Sequence, residues 1–337
     1  MERRELEKQI QGHHLSGVYL FDGTEEYLKK KALNDMIRLV CEGGLEELNS
    51  TTLDNPDVDE LIAACETIPF MSEKRIVIVP DAAYLTGRAE AEDKLKDYLV
   101  HLPPFCVLVF YCHGKVDARK ALVKQIAKLG AYVTFSAMGD SELNMWICER
   151  FREAGKNCSP QVASQLVFVA GSDATLLMGE IGKLVGHSGE HADISMEDIQ
   201  AVTTRSSEYA AFEIVNAVME NQESRAFALM RDMLAAGESR IGILAMLERQ
   251  YRMLQHTSIM RYEKKTTDEM AALLGAKTFV VNKYLQQLRH ITPGQVRDSV
   301  KLCIETEFRI KSGQLNQDGA LEAMMIKLFE MRRKTVQ

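Results

Sequence analysis

The chain has 337 residues, 46% of them apolar and 26% charged, and carries a formal net charge of −7. It is longer than a typical single domain and apolar enough to bury large cores, so two or three domains are expected. The charged opening Met1-Glu2-Arg3-Arg4-Glu5 and the lack of any apolar run near the roughly 18 residues of a membrane span predict a cytoplasmic protein with no membrane segment.

The first third alternates two patterns. Short β-branched or aromatic runs bounded by Gly, Pro, Asp or polar residues predict strands at 18–21, 49–53, 76–79, 107–111 and 132–135. Helical patterns lie between them, near 25–40, 57–66, 90–101 and 117–128. Strands that are apolar throughout imply burial on both faces, and their alternation with helices implies a parallel sheet covered by helices.

From Ser141 onward the strand signals disappear. Residues 141–205 read as four short helices separated by Gly-containing breaks at 155–160, 171–173 and 186–189. Ser195-Met-Glu-Asp198 suits a capping arrangement at the start of the last. Long amphipathic helices follow at about 208–221, 223–236, 240–262, 267–274, 278–290, 293–312 and 318–334; Ile241, Leu244, Ala245, Leu247, Tyr251 and Leu254 repeat at the helical period. The expected plan is an α/β domain over 1–138, a small helical domain over 139–206 and a larger helical domain over 207–337.

Charge is divided unevenly. Residues 1–207 carry −10 and residues 208–337 carry +3. The mild positive balance of the second part permits phosphate contacts, although solvated helix faces produce the same count. The seven cysteines are scattered, mostly in apolar surroundings, and form no C-x-x-C pair, so reduced core thiols are expected rather than a zinc or redox site. His187 and His191 are four apart, but Ser188-Gly189 between them argues against a helix that would align the rings on a metal.

A βαβ domain followed by helices raises the question of nucleotide hydrolysis. A phosphate loop needs glycines to bring backbone N–H groups around the phosphates, a Lys for their charge and a Ser or Thr for magnesium. The turn after the first strand is instead Asp22-Gly23-Thr24-Glu25-Glu26, with one glycine and three carboxylates. Those acids repel a triphosphate and suit a helix N-terminus that has no anion to neutralise its dipole. Gly-Lys pairs at 114–115, 155–156 and 182–183 lack the rest of the motif, and no G-x-G-x-x-G occurs. Asp81 follows the third strand where a hydrolase places a magnesium ligand, yet Pro80 precedes it and no acid adjoins it, which favours a turn or capping role. No cofactor is expected.

Between the helix at 57–66 and the strand at 76–79 lies Glu66-Thr-Ile-Pro-Phe-Met-Ser-Glu-Lys-Arg75. Pro69 pushes Ile68 out of helical geometry, so Phe70 and Met71 fall in a connection. Two readings are open. Phe70 folded back beneath the sheet is the commoner outcome for an aromatic there; an exposed Phe-Met pair on a loop is instead a suitable anchor for a partner pocket.

Several segments, in order, resemble the delta-subunit family of the bacterial DNA polymerase III clamp loader. Gly17-Val-Tyr-Leu-Phe-Asp-Gly-Thr-Glu-Glu-Tyr-Leu28 is similar to that family's first strand, turn and helix. Thr67-Ile-Pro-Phe-Met-Ser-Glu-Lys-Arg-Ile-Val-Ile-Val79 looks like its "T-x-PF-x-S-x-KR" segment and strand. Gly171-Ser-Asp173 with Glu180-Ile-Gly-Lys-Leu184, and Leu247-Glu-Arg-Gln-Tyr-Arg-Met-Leu254, resemble its later helices.

The resemblance implies an AAA+-like α/β domain without ATPase activity, a small helical lid domain and a helical collar. It implies a place in the loader beside ATP-hydrolysing tau/gamma subunits and delta prime, acting on primer-template DNA. It also implies a turn that grips the beta sliding clamp and helps open the ring; residue by residue that turn is Pro69-Phe70-Met71, with Phe70 first. The aromatic that some members place against a DNA base has no counterpart between Lys311 and Ala320. Arg249, Arg252, Lys264, Lys265 and Lys283 are candidates for DNA phosphates, or else a solvated face. Delta prime itself is disfavoured by the missing zinc-type cysteine spacing. The competing classes are an AAA+-like scaffold for another partner and a nucleotide-dependent enzyme with a degenerate phosphate loop.

Overall fold

The computed structural model describes residues 3–41, 44–86 and 92–333. Residues 90 and 91 of the helix expected at 90–101, and residue 334 of the last helix, lie outside them, as do Met1 and Glu2. The chain divides into two units, Met1–Gly139 and Asp140–Gln337.

In the first unit the elements run α1 (Arg3–Gln11), β1 (Gly17–Gly23), α2 (Glu26–Val40), α3 (Glu46–Asn49), β2 (Ser50–Thr52), α4 (Val58–Glu66), β3 (Arg75–Pro80), α5 (Ala83–Thr86), α6 (Glu92–Leu99), β4 (Cys106–Tyr111), α7 (Ala121–Leu129) and β5 (Ala131–Phe135). The strands form one parallel sheet in the order β2-β3-β4-β1-β5. Register places Leu20 beside Phe110 and Tyr132, and Ile78 beside Thr52 and Val109. This is the expected AAA+-like α/β domain.

Its central strands are buried on both faces because helices cover both. Leu61 and Cys65 of α4, Leu95 and Leu99 of α6, and Leu122 and Ile126 of α7 pack with Val18, Leu20, Val77, Val79, Leu108 and Phe110. Each such side chain contributes roughly 1.5–3 kcal/mol by leaving water, which is what holds helices of eight or nine residues that would be marginal alone. On alternate positions Phe21 meets Phe135 edge to face, with ring centroids 5.0 Å apart. Gly23 has φ +108°, and a Cβ there would meet the Phe135 carbonyl oxygen at 2.1 Å, so only glycine ends β1 this way. Three short helices depart from expectation: α1, an amphipathic helix seated by the fully buried Leu6, and the single turns α3, which takes Asn49 from the expected strand, and α5.

The second unit contains α8 (Asp140–Glu153), α9 (Pro160–Ala170), α10 (Ala174–Ser188), α11 (Met196–Val202), α12 (Ser207–Met219), α13 (Glu223–Ala235), α14 (Arg240–Tyr262), α15 (Thr267–Leu274), α16 (Thr278–Gln287), α17 (Pro293–Lys311) and α18 (Ala320–Arg333). Ser195 caps α11 in a capping box with Asp198, as its sequence suggested, and Thr266 and Thr292 do the same for α15 and α17. Of these, α12, α13, α14, α16, α17 and α18 converge on Leu244, Leu247, Tyr251, Leu254, Cys303 and Phe329, all fully buried.

All seven cysteines are free thiols, five of them buried. Burial pushes the Cys112 and Cys303 thiols up to about 12, which suits inert core positions. His187 lies 3.6 Å from Asp198, and among the described residues no three His, Cys, Asp or Glu side chains cluster to hold a metal. No single described helix is long and apolar enough to cross a membrane.

Candidate partner-binding site

Because every strand runs the same way, the sheet has a carboxyl edge and an amino edge, and they are built differently. Open parallel sheets bind ligands outside the carboxyl ends of the strands, where the strand order reverses. That place is here the gap between the ends of β1 and β4, and Lys29 fills it. The side chain is fully buried; its Nζ donates to the carbonyls of Gly23 (2.9 Å) and Cys112 (2.7 Å) and to Glu26 Oε1 (2.5 Å). The same nitrogen lies 5.1 Å from the centre of the Tyr111 ring, whose hydroxyl donates to Glu26 Oε2 at 2.9 Å. Burial alone would raise the Glu26 carboxyl, but the Lys29 and Tyr111 hydrogen bonds outweigh it and hold that carboxyl below its ordinary range.

The other acids there serve the fold. Asp22 accepts from the Tyr132 hydroxyl (2.8 Å) and the Val116 N–H (3.3 Å). Asp81 has φ +42° and accepts the His113 backbone N–H at 2.8 Å, with the ring Nδ1 of His113 2.6 Å from its other oxygen. Asp81 is therefore a turn clamp, the role its sequence context favours.

At the amino edge, α4 ends at Glu66 and Thr67 is already extended, so the helix stops before the Ile68 that Pro69 keeps out of helical geometry. The connection that follows exposes its side chains while its backbone is tied. Arg75, 4% exposed, donates from Nη1 to the Thr67 carbonyl (3.1 Å) and from Nη2 to Thr51 Oγ1 (2.8 Å). The Ser72 hydroxyl donates to the Val40 carbonyl (3.1 Å), and Lys74 Nζ to the Leu15 carbonyl (2.5 Å). Asn49, fully buried, accepts the Phe70 N–H (2.7 Å) and donates to the Phe70 carbonyl (2.9 Å).

Ile68, Phe70 and Met71 are 77%, 54% and 82% exposed, with Pro69 half-buried between them. Phe70 therefore does not fold back beneath the sheet. The core below is already filled by Val58, Leu61 and Cys65 of α4, and the Asn49 contacts hold the Phe70 backbone in place. Met71 sits at φ +49°, a conformation costly for a residue with a side chain and sustained here by the ties around it. Beside it opens a hollow of about 600 Å³ walled by Leu15, Leu39, Val40, Met71 and Lys74, among others.

Four contributors escape a reading of the sequence alone. Ile68 is apolar but marked only by its position before proline. Leu48, also exposed, adjoins Asn49 on α3, a helix too short to show a period. Asn49 reads as the start of a strand, and Arg75 as a surface cation.

The five basic candidates of the second unit are dispersed. Arg249 and Arg252 lie one turn apart on α14, each ion-paired, with Glu208 and Glu248 respectively. Lys264 and Lys265 follow the end of that helix about 20 Å further on, at 1.5 Å per residue; Lys265 lies 3.5 Å from Glu263 and Lys264 is exposed. Lys283, on α16, is half-buried with its Nζ 4.9 Å from the centre of the Phe168 ring, and burial lowers its affinity for a proton.

A five-stranded parallel α/β unit in one chain with a second unit of helices defines the AAA+-like fold class expected from the sequence. Two family models match: the DNA polymerase III delta subunit over residues 19–136, and the C-terminal domain of the same subunit over residues 208–328. The chain belongs to the DNA polymerase III delta subunit family. It is 24% identical to the DNA polymerase III subunit delta of Bacillus subtilis over 336 residues, covering 97% of both chains. The solved structure of the Bacillus subtilis DNA clamp loader delta protein superposes with a TM-score of 0.59 at 23% identity, over 97% of this chain and 99% of that one, and so shares its fold.

Proposed function

We propose that this chain is the non-catalytic clamp-loader subunit that grips the sliding clamp with the amino-edge turn and helps open it for loading onto primed DNA. The observation that carries this reading is the exposure of Phe70 and Met71 on a turn whose backbone is held at Thr67 and Phe70 and whose Ser72 and Lys74 side chains are tied to Val40 and Leu15. A tied loop loses little freedom on binding, so its apolar side chains act at full strength in a partner's pocket. Phe70 is the principal anchor, with Met71 and Pro69 beside it. Ile68 adds to the exposed apolar surface of the same turn, and Leu48, next to Asn49 in sequence, is exposed as well.

No chemistry is asked of the subunit. If the turn fits the open ring better than the closed one, binding shifts the ring toward open by that difference in affinity. ATP binding and hydrolysis belong to the tau/gamma partners, with delta prime completing the loader in the cytoplasm. Within the second unit we assign 139–206 to a small lid domain and 207–337 to the collar. Arg249, Arg252, Lys264, Lys265 and Lys283 stay candidates for the phosphates of primer-template DNA, with a solvated face as the other reading.

Titration of the purified chain with the beta sliding clamp tests the reading. Phe70→Ala together with Met71→Ala should weaken binding by roughly 2–4 kcal/mol while the melting temperature stays near that of the parent. Unchanged affinity in the folded double variant would falsify the assignment.

A further inference from the structure

The tip of the turn depends on one side chain that a partner never touches. Asn49 is fully buried, yet its amide meets both polar groups of Phe70 and of no other residue in the turn: Oδ1 accepts the N–H and Nδ2 donates to the carbonyl. The backbone settles which end of the amide is which, because a backbone N–H only donates and a carbonyl only accepts. No other side chain fits both ends. Aspartate keeps the acceptor and loses the donor, alanine loses both, and glutamine is one methylene too long. At a fully buried position water does not take over the lost bonds.

The remaining ties hold the flanks: Arg75 at Thr67, Ser72 at Val40 and Lys74 at Leu15. Among the described residues, Asn49 is the side chain that holds the tip. Its own place is set by the sheet, because the next residue opens β2 and pairs with β3, Ser50 beside Ile76. The edge of the sheet is thereby connected through a single amide to the backbone that carries the anchoring aromatic. Without it the tip samples conformers that turn Phe70 inward or along the surface, and each must be reordered on binding.

We infer that Asn49 is the positioning residue of the partner-binding turn, holding Phe70 in its projecting conformation before the partner arrives. This rests on the reading of the turn as the clamp contact, and a double-mutant cycle separates the two. In the full-length chain, Asn49→Ala should speed hydrogen exchange at the Phe70 amide and weaken binding to the purified sliding clamp on the order of tenfold. In a Phe70→Ala background the same change should have almost no effect on binding, because there is no aromatic left to position.

An equal loss in both backgrounds, or unchanged exchange at Phe70, overturns the positioning role while leaving the clamp contact standing. If Phe70→Ala alone leaves binding intact, the clamp contact itself falls and the positioning role with it. Should Asn49→Ala fail to fold, the isosteric Asn49→Asp, which keeps the acceptor and removes the donor, is carried through the same cycle with the same expectations.

Discussion

At the carboxyl edge of the sheet, Lys29, Glu26, Tyr111, Asp81 and His113 spend their polar atoms on one another and on the ends of β1 and β4. At the amino edge, Arg75 and Asn49 bond the backbone of the turn at Thr67 and Phe70, the Ser72 and Lys74 side chains fasten it to the carbonyls of Val40 and Leu15, and Ile68, Phe70 and Met71 are left facing outward. Both arrangements are dense in hydrogen bonds. They differ in what faces outward: the first turns most of its polar atoms inward on the fold, the second presents an apolar surface. In a parallel sheet, whose chemistry ordinarily lies at the carboxyl edge, that difference is the ground for the proposed site at the amino edge.

The comparison is broken most severely by removing the cation at the filled edge. Lys29→Met strands the carbonyls of Gly23 and Cys112 in a buried site and should cost roughly 2–4 kcal/mol of stability in a urea titration. Clamp affinity of the folded fraction should be unchanged, since the turn lies at the opposite edge; a parallel loss of affinity would show that the two edges are coupled.

Loosening one flank of the turn is milder. Ser72→Ala removes the bond to Val40 and should cost about 0.5–1 kcal/mol of stability. Its effect on clamp binding should be smaller than that of Asn49→Ala, because the tip remains held.

The smallest effect concerns acid. Burial raises the Asp81 carboxyl, but hydrogen bonds from the backbone and ring of His113 outweigh it and hold the group low. A carboxyl held low binds fewer protons folded than unfolded. Its contribution is therefore present above the unfolded value, about 3.9, and fades as pH falls through the folded one. Melting temperatures measured from pH 6 down to about pH 3 should fall slightly less steeply for Asp81→Asn than for the parent. Identical slopes would show that the clamp at Asp81 adds nothing.

Much of this architecture is legible in the sequence. The five strands stand where β-branched runs predict them, and the helices of the second unit match the apolar period within a few residues, because burial and period are local signals. The missing phosphate motif is equally legible, since Asp22 at the end of β1 and Glu25 and Glu26 just after it are local to the strand. What replaces it is not: Lys29 looks like one of three lysines on a helix, and its burial follows from Cys112, 83 positions away.

The turn divides the same way. Pro69 announces a connection and Phe70 an aromatic within it, but the choice between core and surface depends on Asn49, 21 residues earlier, whose side chain leaves no pattern in the chain. Strained backbone at Met71 and Asp81 is likewise invisible before the fold is known. Contacts between distant polar groups decide function here, and periodicity does not encode them.

The central claim is that binding belongs to the amino edge and that the carboxyl edge is closed. Hydrogen exchange of the intact chain with and without the sliding clamp addresses both halves in one experiment. The account predicts slowed exchange across 67–74 and around Leu48 on adding clamp, and no change at 22–29 or 111–114 on adding either clamp or ATP. Protection at the carboxyl edge with an unchanged turn would contradict it.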